Sequence, residues 1–226
     1  MIDPIFWNGR RVFLTGHTGF KGSWLLLWLL EMGADITGYS LQVEPEPNLF
    51  RQFQSSIDGN FTHIEADLSD RSALLAAVTK CNPNVVFHLA AQPLVRHSYA
   101  DPLGTWSTNV IGSLNLLESL RTLQNTCATV MVTTDKVYFN REWAYGYRET
   151  DRLGGSDPYS ASKAAAELAI ASWRQSFCGE ASHQTPRLRI ATARAGNVIG
   201  GGDWAIDRIV PDAMRALAAQ RSIKVR

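Results

Sequence analysis

Cysteine is scarce in this 226-residue chain: Cys81, Cys127 and Cys178 make an odd set with no Cys-x-x-Cys pair. That excludes a zinc ribbon, a thioredoxin-like redox pair and a disulfide-stapled scaffold, and leaves buried, reduced thiols. The five histidines are scattered without ligand spacing, so no metal is expected. An excess of charge is lacking as well. The 22 basic and 21 acidic residues leave a net charge of +1, which offers no electrostatic footprint for nucleic acid or an acidic membrane surface. An anionic small ligand would have to be gripped locally, by loop amides and a few arginines. The apolar run of residues 24–30 is far short of the roughly 20 residues that span a bilayer. The start, Met1-Ile2-Asp3-Pro4, has neither the basic residues nor the apolar core of a leader. A cytoplasmic protein bound to no membrane is the expectation. Internal repeats and low-complexity segments are absent too.

What is present is a 45% hydrophobic fraction, enough for a substantial core. Runs rich in Val, Ile and Phe alternate with helical patterns. Strands are expected over 11–15, 34–39, 63–66, 85–89, 129–133 and 188–192, the fourth apolar on both faces. Helices are expected over 22–32, 71–79 with Ser69 or Asp70 as cap, most of 102–123, 159–175 behind Pro158, and 208–219. Strands bounded by helices on both sides imply an α/β, doubly wound parallel sheet. Residues 42–48 read as a surface loop, and 141–157 as a polar, glycine-rich loop over the site.

Between the first strand and first helix lies Thr15-Gly16-His17-Thr18-Gly19-Phe20-Lys21-Gly22. Glycines there let backbone amides approach a pyrophosphate seated on a helix N-terminus. The spacing is Gly-x-x-Gly-x-x-Gly, one residue longer than the Gly-x-Gly-x-x-Gly fingerprint. A triphosphate-binding loop needs Gly-Lys-Ser/Thr, and here the order is Lys21-Gly22-Ser23. The second strand ends in Gly38-Tyr39-Ser40-Leu41, with no acid for a ribose and no basic residue until Arg51. The lack of a partner for a 2′-phosphate leans to NAD. Asp67 reads equally as an acceptor for adenine or as a helix cap.

Tyr159-Ser160-Ala161-Ser162-Lys163 places a phenol and an ammonium four residues apart on one helix face. A lysine there is expected to lower the phenol from its ordinary value of about 10. With this pair in place the chain resembles the extended short-chain dehydrogenase/reductase family along essentially its whole length. The resemblance is carried by residues 15–22, Asp67-Leu68, Leu89-Ala90-Ala91-Gln92, Thr108-Asn109, Tyr159 and Lys163. It implies a Rossmann-like sheet and NAD bound by Gly16, Thr18, Gly19, Phe20, Lys21, Gly22, Asp67, Leu68, Ala90, Ala91, Gln92, Asn109, Tyr159 and Lys163.

Thr134-Asp135-Lys136 after the fifth strand, together with residues 194–204, resembles the nucleotide-sugar 4,6-dehydratases, which carry Thr-Asp-Glu or a variant there. The resemblance implies a nucleotide-sugar substrate, with CDP-glucose favoured. It assigns Tyr159 and Thr134 to the C4 oxygen, Lys136 to the C5 proton, Asp135 to the departing C6 hydroxyl, and Lys163 to the ribose and Tyr159. Lysine must be neutral to act as the base. The other reading of Asp135 and Lys136 is an ion pair of which only one member is catalytic. Arg96, Asn197 and Arg208 are candidates for the substrate's diphosphate and nucleotide, because arginine's forked donors suit phosphate. The resemblance further implies an NAD-binding domain over 1–200, a substrate lobe only begun by 201–226, and a homodimer. A UDP-sugar 4,6-dehydratase, a nucleotide-sugar 4-epimerase and a non-catalytic NAD-binding fragment stay open.

Overall fold

Six parallel strands, β1 (Arg11–Thr15), β2 (Asp35–Ser40), β3 (Phe61–Glu65), β4 (Val85–His88), β5 (Cys127–Thr134) and β6 (Leu188–Ala195), form one sheet in the order β3-β2-β1-β4-β5-β6. The computed structural model describes residues 3–44, 47–57, 59–178 and 187–223. Parts of the expected 42–48 loop and of the expected 201–226 lobe therefore lie outside the described residues. Helices α1 (Pro4–Trp7), α2 (Phe20–Glu31), α3 (Leu49–Phe53), α4 (Arg71–Cys81), α5 (Val95–Ala100), α6 (Pro102–Trp106), α7 (Ser113–Leu120), α8 (Pro158–Phe177) and α9 (Ile209–Ala218) precede, connect or follow the strands.

Alternation along β1 splits the core in two. Phe13 points to one face with Tyr39, Leu74, Val86, Leu116, Met131 and Ile170. Val12 and Leu14 point to the other with Leu26, Leu29, Ile36 and Phe50. The strand order reverses between β1 and β4, so a crevice opens beyond their C-terminal ends, where open α/β sheets bind ligands.

The expected elements stand, with three informative differences. First, β5 and β6 run longer than their apolar runs, pairing from Cys127 with Leu188 to Thr134 with Ala195. Ladder pairing carries the polar ends that pattern alone would drop. Second, β4 is not apolar throughout, since His88 is 3% exposed yet hydrogen-bonds Thr15 and Ser113. Third, the helix expected over 102–123 is α6 and α7 joined by a π-helical segment, Ser107–Gly112. There the Asn109 side chain is drawn into a reciprocal pair with Gln92: Gln92 N donates to Oδ1 at 2.9 Å, and Nδ2 donates to the Gln92 carbonyl at 3.2 Å. Such π-bulges often sit at functional sites. The short helices α1, α3 and α5 escaped the periodicity argument because each spans under two turns.

Candidate active site

The glycine loop meets the end of β4 at the switch point. Gly16 has φ +75, and a Cβ there would lie 2.7 Å from the Ala90 nitrogen, so only glycine lets the two loops touch. Gly19 is the N-cap of α2 and brings no side-chain cap, which leaves the first-turn amides to a ligand. Thr18 Oγ1 and Ser40 Oγ share a 2.6 Å hydrogen bond, tying the loop to the end of β2. Phe20 lies against Gly200. With Trp24, Trp28 and Ile199 it lines an apolar groove of about 490 Å³. Lys21 is held below the ordinary lysine value by partial burial and by Arg208, with Asp203 opposing.

Of the two readings of Asp67, the helix cap belongs to Asp70, whose Oδ1 accepts from Ala73 at 2.9 Å. Asp67 is exposed, and its Oδ1 accepts from Ser69 at 2.7 Å. Leu68 is buried against Gly112. Ala90 and Ala91 are half-buried. The Gln92 side chain is engaged with Leu94 and Thr105, so it shapes its own loop.

Tyr159 stands in the first turn of α8, where Asp157 and Ser160 form a capping box and Pro158 fills the first helical position. Its ring lies by the end of β5, where a hydrogen bond with Thr134 and the charge of Arg208 pull the phenol down while burial, the larger influence, raises it. The expected lowering by Lys163 is not delivered by this geometry: Lys163 Nζ donates instead to the Val132 carbonyl at 3.2 Å. Lys163 is 6% exposed. Burial and Lys21 bring it down to about 8, against an upward pull from Glu167.

Asp135 and Lys136 do form an ion pair, 3.4 Å long, with side chains 53% and 44% exposed. Thr134 Oγ1 donates to Asp135 Oδ1 at 3.1 Å, and Lys136 Nζ also donates to Asn197 Oδ1 at 3.3 Å. Thr134, Asp135, Lys136, Tyr159 and Asn197 thus gather at one mouth. Arg96 and Arg208 stand beside the 203–208 segment, in ion pairs with Asp207 (3.1 Å) and Asp203 (3.4 Å). Each is already engaged with a carboxylate.

Sequence reasoning missed Glu167 and Arg194. Glu167 is 4% exposed and accepts from Thr133 (2.5 Å), Thr192 (3.1 Å) and Arg194 (3.0 Å). These partners hold its carboxyl below the usual value against the penalty of burial. Arg194 Nη1 goes on to Tyr138 Oη (2.9 Å) and the Glu149 carbonyl (3.1 Å), strapping the 138–153 excursion to the sheet. The available signal was spacing, since Glu167 continues the Tyr159–Lys163 face by four residues. Among the described residues no cluster of metal-ligating side chains occurs, and no helix is long and apolar enough to cross a membrane.

Comparison with known proteins shows the family. Residues 13–185 match the family model of GDP-mannose 4,6 dehydratase. All 226 residues align at 49% identity with CDP-glucose 4,6-dehydratase of Salmonella typhimurium, and span 62% of that protein. CDP-paratose 2-epimerase of Salmonella typhi is 29% identical over 74% of this chain and 54% of its own length. Among solved structures, epimerase Mth375 of Methanothermobacter thermautotrophicus superposes with a TM-score of 0.80 at 22% identity, over 97% of this chain and 62% of its own. That likeness speaks for the fold alone. The chain spans less than two thirds of each of these relatives, and by the extent of its family match it belongs to the GDP-mannose 4,6 dehydratase family, within the extended short-chain dehydrogenase/reductases.

Proposed function

We propose that this chain carries the cofactor and reaction site of a nucleotide-sugar 4,6-dehydratase, with CDP-glucose as substrate, losing water to give CDP-4-keto-6-deoxyglucose. The observation that carries this reading is the meeting of Thr134, Asp135 and Lys136 with Tyr159 and Asn197 at the end of β5. The 49% identity to a CDP-glucose 4,6-dehydratase favours the cytidine nucleotide. The residues fit NAD: the contact of Gly16 with Ala90 leaves no room for a Cβ, the N-terminus of α2 has no side-chain cap, and the Thr18–Ser40 hydrogen bond ties the loop to the end of β2. When bound, NAD⁺ supplies the two-electron acceptor that the oxidation at C4 requires and the donor that the later reduction at C6 requires. A structure that this chain resembles at 25% identity, MoeE5 in complex with UDP-glucose and NAD, lends support.

In this reading Tyr159 Oη, as the phenolate, takes the proton of the C4 hydroxyl, with Arg208 as the nearby cation that offsets its charge. Thr134 Oγ1 holds the C4 oxygen. The C4 ketone acidifies the C5 hydrogen. Lys136 Nζ and Asp135 Oδ1 lie 3.4 Å apart, so a neutral amine and a protonated carboxyl would stand side by side. Those are the forms elimination needs: Lys136 Nζ takes the C5 proton, and Asp135 gives its proton to the C6 hydroxyl, which leaves as water. Both partners of the ion pair are then used. Arg96, Arg208 and Asn197 are assigned to the nucleotide-diphosphate side, the arginines exchanging their aspartate partners for phosphate.

Residues 1–200 are assigned to the cofactor domain, and 201–226 to the start of a substrate-binding lobe. We assign α8 and the α6–α7 run to a homodimer interface, on the grounds that Leu168, Leu103, Trp106 and Ile111 are exposed along them. A molar mass of one protomer at micromolar concentration would refute it. The decisive test of function is mass spectrometry of CDP-, UDP-, dTDP- and GDP-sugars incubated with the protein and no added reductant. A CDP-glucose product lighter by one water is expected. Epimerisation without loss of water would refute the dehydratase.

A further inference from the structure

His88 is buried at the end of β4, between the glycine loop and the π-helical segment, and no step of the reaction uses it. One arrangement of protons satisfies all of its hydrogen bonds. The Ser113 hydroxyl donates to the Asn109 carbonyl at 2.8 Å, so at its 3.0 Å contact with His88 Nε2 the Ser113 oxygen must accept. Nε2 therefore carries the ring proton. Nδ1 is then the acceptor at its 2.7 Å contact, and Thr15 Oγ1 donates to it. The remaining side of Thr15 Oγ1 accepts the Ala90 amide at 3.2 Å.

The chain runs in one direction: Ala90 N–H to Thr15 Oγ1, Thr15 O–H to His88 Nδ1, His88 Nε2–H to Ser113 Oγ, and Ser113 O–H to the Asn109 carbonyl. Asn109 continues it, since Nδ2 donates to Ser162 Oγ at 2.9 Å and Ser162 donates to the Tyr159 carbonyl at 2.7 Å. Ala90 is the residue against which Gly16 is packed. One imidazole thus connects the glycine loop, the end of β4 and the first turn of α8. A second ring proton would reverse the Thr15 bond and leave the Thr15 hydroxyl hydrogen without this acceptor. Burial and the nearby charge of Lys163 oppose that proton, holding the imidazole down at about 3.

We propose that His88, as its Nε2–H tautomer, is a positioning residue for the cofactor cradle: through Thr15 it fixes the Ala90 amide against Gly16, and through Ser113 it fixes the turn that carries Asn109. The inference rests on the cofactor reading given above. Three measurements on the protein test it. Nitrogen-15 NMR of the unsubstituted protein should show His88 protonated at Nε2 alone, unchanged between about pH 7.5 and 5.5. Thr15→Val keeps the side-chain shape and removes the hydroxyl, and should weaken NAD binding in a fluorescence titration roughly tenfold, the effect of stranding a buried donor and acceptor. Thr15→Ser restores the hydroxyl and should bind NAD within about threefold of the parent. An Nδ1–H tautomer, or a His88 that titrates within that pH range, would overturn the assignment even if Thr15→Val failed to fold. A folded Thr15→Val protein with parental NAD affinity would overturn the cradle role. No NAD binding by the parent would instead overturn the cofactor reading, and the cradle role with it.

Discussion

Gly22→Ala sets helix propensity against tertiary contact, and the magnitudes decide the sign. Inside a helix, replacing glycine by alanine stabilises by about 1 kcal/mol, and Gly22 sits in the first turn of α2. A Cβ at that position, however, would stand 2.0 Å from the Gly16 carbonyl oxygen, 2.7 Å from its carbon and 2.8 Å from His17 Cα. All three obstacles are backbone, so no side-chain rotation relieves them. Reaching ordinary contact at 3.4 Å requires the loop to move about 1.4 Å. Overpacking of this kind costs about 1–3 kcal/mol, which offsets the propensity gain and leaves a net loss of up to about 2 kcal/mol. The loop that must move is the proposed pyrophosphate cradle, so NAD affinity should fall by more than about tenfold. Urea unfolding and an NAD titration of Gly22→Ala measure both quantities. Gly146→Ala is the control: its Cβ meets nothing within 4 Å, and it should change stability by less than about 0.5 kcal/mol. A Gly22→Ala protein more stable than the parent, with unaltered NAD affinity, would refute the reasoning.

Three further outcomes are expected. Arg194→Leu leaves the buried Glu167 carboxylate without its cation and should cost about 3–5 kcal/mol in urea unfolding; a loss below about 1 kcal/mol would show that the pair behaves as an exposed one. Lys163 titrates at about 8 in the fold against 10.5 when unfolded, so between those values the unfolded chain holds more protons and stability rises with pH. From about pH 7.5 to 9.5 the parent should gain about 2 kcal/mol more than Lys163→Met, and parallel stability curves for the two proteins would contradict this. Lys136→Met should abolish water loss from CDP-glucose while NAD binding is kept, read by mass spectrometry and titration; continued turnover would exclude Lys136 as the base.

Much of the fold was legible in the chain because its signals are local. Val, Ile and Phe runs separated by helical patterns gave six strands, and Pro158 marked the start of α8. The glycine spacing located the Gly16 turn, and the four-residue interval put Tyr159 and Lys163 on one helix. Thr134, Asp135 and Lys136 were legible for the same reason, being consecutive at a strand end.

What required the tertiary structure is whatever depends on residues far apart in sequence. The strand order sets β1 beside β4 and brings Gly16 to Ala90. No periodicity encodes the π-helical turn, which follows from the Asn109 contact with Gln92 across 17 positions. Arg194 reads as an ordinary exposed arginine until pairing along β6 delivers it to Glu167 on α8. Arg96 and Arg208 read as free phosphate ligands until the fold supplies Asp207 and Asp203. His88 reads as one polar residue in an apolar strand until Thr15 and Ser113, 73 and 25 positions away, fix which of its nitrogens holds the proton. Local spacing determines which groups share a strand or a helix face; partners, burial and protonation depend on the surrounding field and solvent exclusion, which exist only once the sheet and helices have packed.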